Sequence, residues 1–216
     1  MMRLGLFGGT FDPFHQGHLD VAEAARNALE LSHVWVVPAR VPPHRRPPVA
    51  SAAHRFAMAA IACANAPALL VSDLEMDDAS PSYTEATLNR LAPVGVDVRS
   101  LFLVTGADAF RDIQTWKGFP EILDRCHFVV VSRPGQSAPG LRELLPALAS
   151  RMIDATQSVP STPAVILVDA PTAPASSTEV RRRVQAGAAI DDLVAPGVAA
   201  YIEKHGLYRN PSKDEA

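Results

Sequence analysis

His15 and His18 stand three residues apart directly after the run Gly8-Gly9-Thr10-Phe11-Asp12-Pro13-Phe14 and just ahead of a helical pattern. An imidazole at the mouth of a helix can donate to phosphate oxygens that gain charge as a phosphorus–oxygen bond breaks. Free backbone N–H groups at a glycine-rich turn, the Thr10 hydroxyl and the positive end of the helix dipole would point into the same crevice. Near the other end of the chain, Ser176-Ser177-Thr178 open a second helical pattern with Arg181 one turn in. That is a second anion site, and opposed to the first it would enclose a triphosphate. The plainer alternatives are a capped or packed helix start, or a pair of metal ligands. A metallohydrolase would need a third ligand, and none stands nearby with recognisable spacing.

The elements that must hold these residues are legible from periodicity. Residues 2–6 and Phe7 form a short, mostly apolar run ended by the glycine pair, as expected of a strand buried on both faces of a parallel sheet. Val21, Ala22, Ala25 and Leu29 recur at helical spacing, so a helix is predicted to start near Gly17 or His18. Apolar runs over 33–37, 69–71, 101–105, 127–132 and 165–169 alternate with helical patterns, which predicts an α/β, Rossmann-like, doubly wound parallel sheet. Its ligands would sit at the carboxyl ends of the strands, near the switch in strand order.

Further candidates fall at that rim. A proline-stiffened loop over 38–48 carries Arg40, Arg45 and Arg46, and reads either as a solvated connector or as an arm laying Arg45 or Arg46 over a phosphate. Ser82 and Glu85 have capping-box spacing, which leaves Tyr83 and Thr84 at a helix start able to hold a carboxylate. Gly106 and Asp108 follow the fourth strand. Trp116 is either core or a flat face for stacking a heteroaromatic ring. Arg133 follows the fifth strand, where it could make a bidentate phosphate contact. A helix over about 51–65 is expected to be scaffold, with His54 and Arg55 on its surface. Residues 136–163 read as a peripheral elaboration around a helical stretch at 141–148, without chemistry. A break is expected at Pro196-Gly197, then an amphipathic helix over 198–204 that ends at His205-Gly206.

With 216 residues, 48% of them hydrophobic, the chain can bury one substantial core, and we expect one domain over 1–209 with a disordered tail over 210–216. A net charge of −3 leaves no electrostatic footprint for nucleic acid, so a nucleotide would be a small ligand. Cys63 and Cys126 show no metal or disulfide spacing, the start of the sequence runs straight into a strand, and no apolar run would cross a bilayer. These features predict a cytoplasmic protein without a membrane partner.

The stretch from Gly8 to His18 resembles the GGTFDPxHxGH signature of the HIGH-type nucleotidyltransferase superfamily, and Ser176 to Arg181 resembles its second signature. Ala175 departs from the isoleucine common before that second segment, while Ser177, Thr178 and Arg181 keep their places. Val41–Arg45, Ser82–Thr84, Gly106–Asp108, Trp116, Arg133–Gly135 and the closing Tyr201–Tyr208 are similar to the bacterial nicotinate-nucleotide adenylyltransferases over essentially the whole chain outside 136–163. This resemblance implies adenylyl transfer from ATP to nicotinate mononucleotide, giving deamido-NAD and pyrophosphate. It implies catalytic roles for His15, His18 and Arg181, and ATP contacts from Gly8, Gly9, Thr10, Phe11, Ser177 and Thr178. The acceptor would meet Arg45, Tyr83, Thr84, Asp108, Trp116 and Arg133. Mg²⁺ would arrive with ATP and have few protein ligands, and assembly into a homo-oligomer stays open. The rivals are another adenylyltransferase of the superfamily, such as phosphopantetheine adenylyltransferase, and a nucleotide-binding sensor that does not catalyse.

Overall fold

A computed structural model describes residues 3–43, 47–77 and 80–209. In chain order it runs β1 (Leu4–Gly9), α1 (Gln16–Leu29), β2 (His33–Pro38), α2 (Ala52–Cys63), β3 (Leu69–Val71), α3 (Thr84–Leu91), β4 (Leu101–Gly106) and α4 (Ala107–Phe110). Then come β5 (His127–Val131), α5 (Leu141–Leu144), β6 (Met152–Asp154), β7 (Val165–Val168), α6 (Ser177–Gln185) and α7 (Pro196–Lys204). The seven strands form one sheet in the order β3-β2-β1-β4-β5-β7-β6, with every pairing parallel. The order reverses between β1 and β4, so the loops leaving these two strands diverge and open a crevice at their carboxyl ends.

Alternation along each strand divides the core. Leu6, Leu103, Phe128 and Val130 face one layer, together with Leu88, Phe110 and Ile113. Phe7, Val104, Val129 and Val131 face the other, where Val21, Ala22 and Ala25 of α1 cover them. A third cluster joins Met58 of α2, Val180 of α6, Val198 and Ile202 of α7, and Tyr208. It fastens the last elements of the chain to the layer that carries α1 and α2. Cys63 and Cys126 are buried, and burial pushes both thiols up to about 12.

Four sequence expectations need correction. Residues 136–163 are not peripheral: they add β6 beside β7, and Leu141, Leu145, Leu148 and Met152 enter the core. Arg55 is not a surface residue but 1% exposed, on the same stripe of α2 as Met58, Ala59 and Cys63. Ser82 caps nothing: α3 begins at Thr84 behind Tyr83, and the Ser82 hydroxyl instead accepts from the Val41 N–H at 3.3 Å, pinning the 38–48 loop. Pro196 and Gly197, expected as a break ahead of a helix over 198–204, instead form the first turn of that helix, α7, where proline's missing N–H costs nothing. Arg45 and the tail over 210–216 lie outside the described residues.

Candidate active site

The β1–α1 turn folds inward on its own aromatic rings. Phe11 takes a left-handed backbone (φ 51°) and is buried, its ring meeting Phe7 at 5.4 Å, Phe14 at 5.0 Å and His18 at 5.0 Å. Position 9 must be glycine because a Cβ there would lie 2.5 Å from the Phe11 ring. Position 8 is open on the crevice side, with nothing within 4 Å of a Cβ. What the turn offers an anion is therefore backbone, the Phe11 side chain having gone to the core.

His15 is the N-cap residue of α1, and His18 lies one turn in. Their rings stack at 3.6 Å, and the His15 N–H donates to His18 Nδ1 at 3.3 Å. An acceptor at Nδ1 assigns the proton of a neutral His18 to Nε2. His15 is 3% exposed, and its Nδ1 is buried without a partner among the described residues. Burial first and the Arg133 guanidinium second lower its pKa to about 3, so His15 is uncharged at neutral pH. The two rings thus stack at the positive end of a helix, His15 uncharged.

The second signature is bonded straight onto this turn. Ser176 caps α6, accepting from Glu179 N–H at 3.1 Å, and frees Ser177 to donate its hydroxyl to the Pro13 carbonyl at 2.9 Å. Arg181 donates from Nη1 to the Asp12 carbonyl at 2.6 Å and from Nη2 to Thr178 Oγ1 at 3.4 Å. Arg182 and Arg183 turn away, both paired with Glu179. The Gln16 N–H donates to the Leu193 carbonyl at 2.8 Å, tying the start of α1 to the chain ahead of α7.

Beneath this junction lies a buried polar group that sequence reasoning passed over. Asp12 accepts from the Val49 and Ala50 N–H groups at 2.8 and 3.1 Å and from the Tyr208 hydroxyl at 2.8 Å. Arg55 reaches the carbonyls of Thr10, Ala39, Arg40 and Ala50 at 2.6 to 3.2 Å, joining the first turn to the loop after β2. Burial lowers the Arg55 pKa, with the Asp12 charge opposing that fall. The signal for Arg55 was its place on the stripe of Met58 and Ala59. Asp12 and Tyr208 stand in segments that carry the family resemblance, but no spacing joins them, because they lie 196 residues apart.

On the β4 and β5 side, Arg133 donates to the Gly17 carbonyl at 2.7 Å and to the Ala175 carbonyl at 3.3 Å. It bridges the two signatures, and its side chain lies with that of Asp108 against Gly106. Further out, Tyr83 and Trp116 belong to neighbouring segments. Lys117 Nζ sits 4.9 Å over the Tyr83 ring, Gly118 (φ 83°) is against Glu85, and Trp116 is half-buried, packed towards Phe128. Lys117 is a further residue that the sequence reading missed.

The structure therefore bonds the start of α6 to the β1–α1 turn, through Ser177 to Pro13 and Arg181 to Asp12, with Arg133 bridging Gly17 and Ala175 and Asp108 beside it. Tyr83, Thr84 and Trp116 form a separate patch. The family model described as cytidylyltransferase-like matches residues 6–183. A Roseiflexus protein named "Probable nicotinate-nucleotide adenylyltransferase" is 43% identical over 213 residues, 95% of this chain and 98% of its own. A Thermus thermophilus protein of the same name is 42% identical over 214 residues, 96% and 100% of the two chains. The structure of Plasmodium falciparum nicotinic acid mononucleotide adenylyltransferase complexed with NaAD superposes with a TM-score of 0.75 over 96% of this chain and 98% of that one, and at 21% identity the likeness is one of fold. By the match of the family model and the near full-length identity, this chain belongs to the cytidylyltransferase-like family and, within it, to the nicotinate-nucleotide adenylyltransferases.

Proposed function

We propose that the protein transfers the adenylyl group of ATP to the phosphate of nicotinate mononucleotide, giving nicotinate adenine dinucleotide and pyrophosphate. The observation that carries this reading is the bonding of Ser177 and Arg181 to Pro13 and Asp12, which supports one crevice with imidazoles on one wall and a guanidinium on the other. An acceptor phosphate oxygen attacks the α-phosphorus in line as the bond to the bridging oxygen of the β-phosphate breaks. The nucleophile is already an anion, so the residues work by alignment and charge stabilisation.

In this reading His18 donates from Nε2 to an α-phosphoryl oxygen, and neutral His15 backs it as a second donor. The backbone of Gly8, Gly9, Thr10 and Phe11 orients the phosphates at the start of α1. Arg181, with Ser177 and Thr178, holds the leaving pyrophosphate. Mg²⁺ would accompany ATP as part of the substrate and offset the charge of the triphosphate. Arg133 and Asp108 flank the acceptor phosphate and ribose, with Arg45 assigned to the same acceptor. Tyr83 and Thr84 at the start of α3 receive the pyridine carboxylate, and Trp116 stacks on the ring.

A helix N-terminus favours a carboxylate over a neutral amide, by about tenfold or more in rate for the acid. Steady-state pyrophosphate release with nicotinate mononucleotide, nicotinamide mononucleotide and phosphopantetheine tests this. The first is expected to be the best substrate. Turnover with phosphopantetheine alone would transfer the assignment to that branch of the superfamily, and turnover with none would make the protein a sensor.

A further inference from the structure

The Tyr208 hydroxyl lies where the end of the chain meets its beginning. After α7 the backbone turns through Gly206 (φ 59°) and Tyr208 itself takes a left-handed conformation (φ 63°), which sends its ring into the third core cluster and its hydroxyl to Asp12 Oδ1 at 2.8 Å. A left-handed tyrosine is costly and is kept only where the surroundings hold it. Burial first and the Asp12 charge second raise the Tyr208 pKa, so the phenol keeps its proton and remains a donor. Asp12 is 5% exposed and accepts from three donors on two segments: the consecutive Val49 and Ala50 N–H groups, and Tyr208. Arg181 Nη1 sits 3.8 Å from the remaining side of Oδ2, too far for a hydrogen bond, while bonding the Asp12 carbonyl at 2.6 Å.

We infer that Tyr208 and Asp12 are positioning residues for Arg181. The Tyr208 hydroxyl shares the carboxylate's charge, so the guanidinium is steered by it as a long ion pair, 3.8 Å from Oδ2, rather than drawn into hydrogen-bonding contact. Without that hydroxyl, Oδ1 loses a charge-assisted bond in a buried place, and the carboxylate compensates by drawing Nη1 in. The guanidinium would then leave the position from which it meets the β- and γ-phosphates. The inference rests on the assignment of Arg181 to the pyrophosphate end of ATP.

Three variants of the full chain separate the possibilities: Tyr208→Phe, Arg181→Ala and the double variant. Tyr208→Phe keeps the ring in its core cluster and removes only the hydroxyl. It is expected to raise the KM for ATP and the inhibition constant of pyrophosphate by about tenfold each, leaving the KM for nicotinate mononucleotide within about twofold. In the Arg181→Ala background the same change is expected to alter neither constant further, since its route runs through the missing guanidinium. A general loosening would raise both KM values together, or add to Arg181→Ala, and either result overturns the positioning role. So do ATP and pyrophosphate constants within twofold of the parent in a folded Tyr208→Phe protein, judged by circular dichroism. If Arg181→Ala itself leaves pyrophosphate inhibition unchanged, the assignment of Arg181 is what fails.

Discussion

His15 and His18 share a turn but differ in what surrounds them, and the difference predicts two separate behaviours. In the proposed reaction His18 donates from Nε2 to phosphate, so His18→Ala is expected to lower kcat by about 10²- to 10³-fold while ATP binding stays within about tenfold. Single-turnover rates beside equilibrium ATP titration check this, and unchanged turnover would remove the histidine from the reaction. His15 is buried, and its folded pKa of about 3 lies below the ordinary 6.5. As pH falls, the unfolded chain takes up the proton first. The stability tied to His15 is therefore whole above pH 6.5 and is lost progressively towards pH 3, by up to about 1.4 kcal/mol per pH unit. Urea midpoints between pH 7 and 5 should fall more steeply for the parent than for His15→Asn, and parallel curves would contradict the burial argument. The two histidines at the start of α1 were legible because a turn and a helix start impose local spacing. Asp12 and Tyr208 were not, since a buried carboxylate 196 residues from its tyrosine leaves no periodic trace.

At the end of β1 and the start of α1, two glycines invite opposite outcomes. A Cβ at Gly17 would meet Arg133 Nη1 at 2.7 Å and the carbonyl oxygens of Ala173 and Ala175 at 3.0 and 3.3 Å. Alanine in a helix normally gains about 1 kcal/mol over glycine, but backbone oxygens cannot swing aside, so we expect Gly17→Ala to be a net loss of about 1–3 kcal/mol. It should also raise the acceptor KM by moving Arg133. Gly8→Ala has empty space before it and is expected to change stability by less than about 0.5 kcal/mol. If phosphate lies against that backbone, turnover still falls; thermal melts and kinetics on the same two proteins tell these apart. The same scale shows where elements escaped the sequence. β6 has three residues, too few to display an alternation, and its parallel seat beside β7 is decided by the sheet. Ser82 matched a capping pattern, yet its hydroxyl went to Val41, a partner that spacing cannot reveal. Strands buried on both faces, by contrast, announce themselves as unbroken apolar runs, and β1, β2, β4, β5 and β7 all did.

Across the molecule, one parallel sheet carries both faces of the core, and the third cluster secures the chain's last elements against them. Among the described residues no helix is long and apolar enough to cross a membrane. The two cysteines sample this architecture at different depths: Cys63 closes α2 at the border of one layer, whereas Cys126 lies against the centre of the sheet, just ahead of β5. With both sulfurs shut away and held in the protonated form, a thiol reagent can attack only when the surrounding structure opens. The chain thus contains two clocks. Cys63 is expected to be labelled faster than Cys126, and ATP at about 100 times its dissociation constant should slow the Cys126 clock about 100-fold if global opening releases the nucleotide. Mass spectrometry of timed quenches would read both, and equal rates would mean that helix and sheet come apart as one.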